Sequence, residues 1–250
     1  MPGLDWLTAR PVAHRGLHDA AAGVIENTPS AIRAAIDGDF AIEVDLQITA
    51  DGEAMVHHDD ALGRLTDGVG RLADMSAAVL AQVPFRATSD RMITLPGLCD
   101  LVAGRVPLVI ELKSRFDGDL RLAARAVTVL RDYAGPVALM SFDPALVREV
   151  ARLAPGLPRG IVAERWYRHQ EWDRLSAAQK RSMGLLLHAF TTRPHFVAYH
   201  VKDLPAAAPL IARHLFGLPL LTWTVRTPDD RRTARRWASQ MIFEGFRPEA

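Results

Sequence analysis

Apolar residues along the chain fall into short runs that alternate with amphipathic stretches. Eight of these runs have the length and composition of strands: 11–14, 40–46, 106–112, 136–140, 159–163, 196–201, 219–225 and 240–244. Helical patterns lie between several of them, at 28–38, 119–135 and 144–156. In the first helix, Thr28 can cap the start, Pro29 suits the first turn and Gly38 follows the end. This alternation is typical of a parallel sheet covered by helices.

Eight strand–helix units in 250 residues predict one closed (β/α)₈ TIM barrel that spans residues 1–250. An open, doubly wound sheet is the alternative. Residues 57–97 interrupt the rhythm, because they delay the third strand by about 40 residues beyond the usual connection. They are rich in turn residues and overlap the end of a predicted hairpin arm at 52–60. We interpret them as a small insertion after the second strand, and such insertions often cover an active site.

Composition narrows the class of protein. Apolar residues make up 49% and charged residues 24%, which is typical of a globular protein and excludes a disordered or collagen-like chain. The formal net charge is only +1, so no overall positive field favours nucleic acid, and any anion must be held locally. The single cysteine, Cys99, excludes an intrachain disulfide and a cysteine-rich zinc site.

The start of the chain lacks the pattern of a signal peptide, and no apolar stretch approaches the ~18 residues of a membrane span. We therefore expect a cytoplasmic protein without a membrane span. Nothing in the sequence indicates its oligomeric state.

Charged and titratable residues gather where three consecutive strands and the hairpin arm are predicted to end. They are His14, Arg15, Glu43, Asp45, His58, Glu111 and Lys113. Residues two apart on a strand share a face, so Glu43 and Asp45 point the same way, as do Glu111 and Lys113. A solvated surface is the ordinary explanation for each pair, and a lone histidine is more often structural. Because catalytic groups of a barrel stand at the carboxyl ends of its strands, their joint placement favours a site.

The chemistry of these residues is mutually consistent. Three carboxylates without thiols form an oxygen-rich site for a hard cation, Mg²⁺ or Ca²⁺. Arg15 and Lys113 beside that cation would hold an anionic group such as a phosphate. His14 and His58 can share general acid and base roles. Together they suggest cleavage of a phosphodiester.

Short motifs occur in a recognisable order over about nine tenths of the chain. They are His14-Arg15-Gly16, Glu26-Asn27-Thr28, Glu43-x-Asp45, His58-Asp59 with Leu62 and Arg64, Ile110-Glu111-x-Lys113, Ser141-Phe142 and Trp223-Thr224-Val225. On these motifs the sequence resembles the glycerophosphodiester phosphodiesterase family. The resemblance implies a TIM barrel with an insertion after the second strand, and a divalent metal on the three acids. It also implies His14 and His58 as acid and base, with Arg15 and Lys113 on the phosphate.

The implied reaction is metal-dependent hydrolysis of a small-molecule glycerophosphodiester, a deacylated phospholipid, to glycerol phosphate and an alcohol. The related sphingomyelinase-type phospholipases lack the insertion, so its presence favours the glycerol-diester branch. A phospholipase-like lipid phosphodiesterase and a non-catalytic phospho-ligand-binding barrel are the alternatives. The assignment of acid and base stays open, as does the choice between a cyclic intermediate and direct attack by water.

Two segments depart from the family pattern. The last strand ends in Met241-Ile242-Phe243-Glu244-Gly245, with Glu244 where the family commonly has an aspartate, and we assign it no role. Residues 164–194 match no family motif. We expect their aromatic residues to lie on an outer barrel helix with ring edges packed inward, and a mobile lid is the alternative. His18 is expected to be structural or on the surface.

Overall fold

The structure is a computed structural model that describes residues 3–248. Within these residues the strands are β1 (Val12–Ala13), β2 (Ala41–Ile48), β3 (Ala54–Val56), β4 (Leu108–Leu112), β5 (Val137–Ser141), β6 (Arg159–Ala163), β7 (Phe196–His200), β8 (Leu220–Val225) and β9 (Gln240–Phe243). The helices are α1 (Asp5–Thr8), α2 (Pro29–Asp37), α3 (Ala77–Leu80), α4 (Leu95–Val102), α5 (Arg121–Leu130), α6 (Pro144–Leu153), α7 (Ala177–Gly184), α8 (Ala189–Thr192), α9 (Ala207–His214) and α10 (Pro228–Trp237).

Eight of the strands close into a parallel barrel. Their order is β1-β9-β8-β7-β6-β5-β4-β2, and β1 pairs with β2 to complete the circle. The remaining strand, β3, lies outside the barrel and pairs antiparallel with β2, as the predicted hairpin arm does. The predicted (β/α)₈ barrel is therefore confirmed, and the open sheet is wrong.

Local signals set the helix boundaries. The side chain of Thr28 caps α2 by accepting a hydrogen bond from the backbone N–H of Ala31, and Pro29 is the first residue of the helix. Helix α5 is shorter than the predicted 119–135, since it begins at Arg121 and ends at Leu130. The aspartate before it, Asp119, accepts hydrogen bonds from the backbone and side chain of Arg121 and so belongs to the preceding turn.

Strand alternation divides the core into two layers. Residues such as Ala41, Val109 and Leu221 fill the barrel interior, whereas Ile42 and Ile110 pack between the sheet and the helices. Further along β2 and β4, the interior-facing positions carry acids in place of apolar residues. The packed barrel thus holds polar side chains at the carboxyl ends of its strands.

The segment between β3 and α4 is an irregular excursion with its own small core. It contains the short helix α3, a 3₁₀ turn at Leu72–Asp74 and isolated bridges between Ala61 and Arg71 and between Thr66 and Phe85. Its apolar cluster consists of Ile25, Met55, Leu62, Leu72, Leu80, Phe85 and Met92. This cluster anchors the segment against the β2–β3 hairpin, so that its first residues are held at the barrel mouth.

The expected outer helix for the aromatic residues after β6 is wrong. Residues 164–176 form a loop with one 3₁₀ turn, and α7 begins only after it. Tyr167 and Trp172 leave the helical layer because their rings pack on Phe142, with centroids 6.3 and 4.7 Å away. Trp166 is 54% exposed. Among residues 3–248, no helix has both the length and the apolar character needed to cross a membrane.

Candidate active site

Three buried carboxylates meet at the barrel mouth, where β2 and β4 end. Glu43 and Asp45 point inward together from β2. Asp45 pairs in register with Glu111 of β4, which brings the third acid alongside. Each acid has a carboxylate oxygen within 4.8 Å of the other two, and the exposed fractions are 1%, 1% and 8%.

This anionic cluster is only partly compensated by the chain. The Nζ atom of Lys113 lies 2.9 Å from Asp45 Oδ1 and 2.8 Å from Glu111 Oε1. Burial, followed by the charges of Asp45 and Glu111, raises the pKa of Glu43 well above its ordinary value. Burial acts in the same direction on Asp45, but nearby cations, Lys113 first, outweigh it and lower its pKa. The three acids form a group able to hold a divalent metal, and their oxygen donors fit a hard cation.

The turn after β1 explains the His-Arg-Gly sequence. Arg15 has a left-handed φ of 56°, and its backbone N–H donates to Glu43 Oε2 at 3.0 Å. Gly16 has a φ of 79°, and a Cβ there would lie 2.8 Å from the backbone carbon of Ala31, so the turn requires glycine. This geometry brings the Nε of Arg15 to 3.3 Å from Asp45 Oδ2.

Glu26 and Asn27, just before α2, support the cluster from a second loop. The amide of Asn27 donates to Asp45 Oδ2 at 2.9 Å, and the Asp45 backbone N–H donates back to Asn27 Oδ1 at 3.2 Å. Glu26 Oε1 accepts from Arg15 and Arg64, each at 2.7 Å. Burial would raise the pKa of Glu26, but Arg64 and Arg15 together lower it to about 2. Glu26 therefore stays ionised and fixes the guanidinium of Arg15.

His14 is held across the seam between β1 and β9. Its Nδ1 lies 2.7 Å from Oε2 of Glu244, the residue that follows β9. Glu244 also accepts from Arg226 Nε at 3.1 Å and Nη2 at 2.9 Å. The other ring nitrogen, Nε2, lies 4.0 Å from Glu43 Oε2. Burial, partly opposed by Glu244, lowers the pKa of His14 to about 4, so its ring is neutral near pH 7.

His58 reaches the mouth from the segment after β3. Its Nδ1 lies 2.8 Å from Asp59 Oδ1, and Asp59 accepts from Arg64 Nε at 2.6 Å. The charge of His58, after that of Lys113, contributes to the lowered pKa of Asp45, which reflects its position near the acids. His57 turns away, as strand alternation predicts, and is 2% exposed beside Phe85.

Aromatic side chains from β8 and from the loops after β4, β5 and β6 pack against one another. The ring of Phe142, just after β5, meets Trp223 of β8 edge-on at 5.5 Å. Trp172 packs on the same phenyl ring and also contacts Phe116, at 6.1 Å. The hydroxyl of Ser141 donates to the carbonyl oxygen of Leu112, which ties the end of β5 to β4. These rings form one packed aromatic cluster at the ends of the strands.

The structure brings together the residues that the sequence selected, and it adds others. Four of the added residues belong to the motifs quoted above: Glu26, Asn27, Asp59 and Arg64. The sequence alone did not show that their side chains contact the predicted site residues. The ring of His18, expected to be structural or on the surface, has its Nε2 3.9 Å from Glu244 Oε2. The signal that could have found Glu244 is its position at the end of the last strand.

Comparison with known proteins gives consistent matches. The model described as the glycerophosphoryl diester phosphodiesterase family matches residues 14–245. A glycerophosphodiester phosphodiesterase 1 of Mus musculus is 46% identical over 244 residues, which cover 88% of this chain and 72% of that protein. A glycerophosphodiester phosphodiesterase of Bacillus subtilis is 34% identical over 258 residues, covering 94% and 83%.

The solved structures show the same fold. One is a phosphodiesterase of Oleispira antarctica in complex with the product sn-glycerol-3-phosphate. It superposes with a TM-score of 0.77 over 95% of this chain and 94% of that chain, at 19% sequence identity.

Proposed function

The chain belongs to the glycerophosphoryl diester phosphodiesterase family, and we propose from this that it hydrolyses glycerophosphodiesters to glycerol phosphate and an alcohol. The observation that carries the proposal is the barrel mouth itself, where three acids, two cations and two histidines meet. Such a set can neutralise a phosphodiester and move protons to and from its oxygens.

Glu43, Asp45 and Glu111 would hold a divalent cation, Mg²⁺ or Ca²⁺. The fit rests on the all-oxygen donor set and on the raised pKa of Glu43, which burial causes first and the charges of Asp45 and Glu111 increase further. When bound, the cation supplies positive charge that polarises the phosphoryl oxygens.

Arg15 and Lys113 would bind the non-bridging oxygens of the diester. Both lie at strand ends within 3.3 Å of Asp45, so they stand where an anion would dock beside the acids. The guanidinium of Arg15 can grip two oxygens, whereas the ammonium of Lys113 acts as a point charge. Glu26 accepts a hydrogen bond from Nη1 of Arg15, which fixes the orientation of the guanidinium group.

His14 and His58 would exchange the protons. In each ring Nδ1 is bound to a carboxylate, so Nε2 is the atom left for the substrate. His14 is neutral near pH 7, which suits it to accept a proton from the attacking hydroxyl. His58 is then the group that protonates the leaving alkoxide.

A substrate panel tests this function. Glycerophosphoethanolamine and glycerophosphocholine are supplied with Mg²⁺ or Ca²⁺, and glycerol phosphate and the free alcohol are quantified. We expect both products in equal amounts. Turnover of a diacyl phospholipid in preference to its deacylated form would favour the phospholipase-like alternative. Binding without product would favour the non-catalytic one.

A further inference from the structure

A charged cavity of about 210 Å³ lies beside Lys113, where β2 and β4 end. The residues after β3 form one side of it, including Arg71, and the loop after β4 forms the other, including Arg115. Lys113 lines the same cavity, and its Nζ is the atom that bridges Asp45 and Glu111. The cavity therefore begins where the phosphate of a diester would dock.

Two guanidinium groups in this cavity lack partners. The Nε atoms of Arg71 and Arg115 are both buried without a hydrogen bond, and within residues 3–248 neither side chain has an ion pair. Other arginines nearby are paired, for example Arg64 with Asp59 and Glu26. Each arginine is half-buried as a residue, but its Nε is a buried donor, and buried donors ordinarily have a hydrogen-bond partner. Two such groups in one cavity point to an anionic ligand, and a guanidinium fork matches a carboxylate.

The outer rim of the cavity has the opposite charge. Asp60, Asp74 and Asp117 line it and are exposed, and among the described residues none of them forms an ion pair. The cavity thus offers two half-buried guanidinium groups together with exposed carboxylates. A ligand that carries both a carboxylate and an ammonium group would complement both.

The substrate chemistry determines which part of a diester could use this cavity. A glycerophosphodiester has two alcohol arms on one phosphorus, and the glycerol arm carries only hydroxyl groups. Charged lining can hydrogen-bond those hydroxyl groups, but it gains no ion pair from them. It suits the second arm, the head-group alcohol, when that alcohol is itself charged.

We propose that the Arg71–Arg115 cavity is the head-group subsite and that it selects an amino-acid head group, as in glycerophosphoserine. The carboxylate of the serine arm binds between the two guanidinium groups, and its ammonium group lies toward the aspartate rim. This inference rests on the proposed function, because it assumes that the phosphate docks beside Lys113. Ethanolamine differs from serine only by the absent carboxylate, so it is the matched comparison.

The experiment measures kcat/KM for glycerophosphoserine and for glycerophosphoethanolamine, in the wild type and in Arg71→Met, Arg115→Met and the double variant. Methionine keeps a long side chain and removes the charge. We expect the wild type to favour the serine diester by roughly tenfold or more, the scale of a hydrogen bond between charged groups. Each single variant should lower this ratio, and the double variant should bring it close to one. Turnover of the ethanolamine diester should fall less than turnover of the serine diester, and the melting temperature of each variant reports that it folds.

Arg235→Met is the control, since it removes the same charge from the last turn of α10, away from the cavity. It should keep the wild-type ratio. Equal turnover of the two diesters by the wild type, or a serine preference that survives in the double variant, would overturn the subsite while leaving the proposed function intact. If neither diester were hydrolysed, the proposed function itself would fall.

Discussion

The two histidines of the mouth have the same supporting arrangement but come from different parts of the fold. His14 Nδ1 is bound to Glu244, which Arg226 holds, and His58 Nδ1 is bound to Asp59, which Arg64 holds. The first arrangement joins residues 230 positions apart across the closing seam of the barrel. The second joins neighbours along the chain, in the segment outside the barrel.

Their surroundings differ as well. The side chain of His14 is 11% exposed and that of His58 is 26% exposed. The difference teaches that barrel closure places His14 in a drier setting, held by residues from both ends of the chain. A local turn places His58 in a setting that is more exposed to water. If this comparison is right, the barrel-seam support should matter more to activity than the local one.

The largest effects should follow removal of either ring. His14→Ala and His58→Ala should each lower kcat/KM by roughly 10²–10⁴-fold, because each removes a proton-transfer group. The double variant should lose much less than the product of the two losses, since both serve one reaction. Multiplicative losses of a few fold each would mean that the rings only support their loops.

His57 is a poor control for the histidine variants, because replacing its buried ring should change stability. That ring is buried, so His57→Ala should lower the melting temperature by leaving a cavity while the folded enzyme keeps its kcat/KM. His214 lies exposed at the end of α9, and His214→Ala should change neither quantity.

The next effect concerns Lys113, whose ammonium group contacts both Asp45 and Glu111. Lys113→Met should lower kcat/KM by roughly 10²-fold or more, the scale of losing one preorganised charge from a reacting group. It should also lower the stability of the metal-free protein, because Asp45 and Glu111 lose their shared partner. Added divalent cation should restore stability but not activity. Normal kcat/KM with a lower melting temperature would assign Lys113 a structural role.

A smaller effect should distinguish the two supporting carboxylates. Glu244→Gln should lower kcat by roughly 10- to 100-fold, the size of one charged hydrogen bond to a buried ring. Asp59→Asn should cost less, because His58 is more exposed and water can replace the acid. KM should change little in either variant. A larger loss for Asp59→Asn would reverse the comparison.

The smallest effects should come from the outer arginines. Arg226 is 54% exposed, so Arg226→Met should change kcat only a few fold, as expected for an exposed ion pair. Arg64→Met should cost more, since Arg64 also holds Glu26, which in turn holds Arg15. Steady-state kinetics with both variants in parallel would measure this order.

The barrel was predictable because its strands are short, mostly apolar runs, a pattern that can be found in the sequence without long-range information. All eight predicted strands overlap observed ones within the described residues, and the period of two correctly placed Glu43 and Asp45 on one face of β2. The site residues gather at one end because parallel strands share a carboxyl edge. Their roles stay predictions.

What escaped prediction depends on tertiary contacts. Glu244 meets His14 only when the barrel closes, and no local pattern encodes that contact. Tyr167 and Trp172 lie in a loop because Phe142, distant in sequence, offers them an aromatic surface. The unpaired Nε atoms of Arg71 and Arg115 could not be predicted from the sequence either, since whether a charged group is paired depends on how two separate loops meet.

The most direct test of the account is cation-dependent release of glycerol phosphate from glycerophosphoethanolamine. The wild type and Glu43→Gln are treated with EDTA and then given Mg²⁺ or Ca²⁺ in excess. The account predicts no release from either protein in EDTA, and recovery on adding cation in the wild type alone. Release that persists in EDTA, or equal recovery in Glu43→Gln, would contradict the claim that these three acids hold the metal that hydrolysis requires.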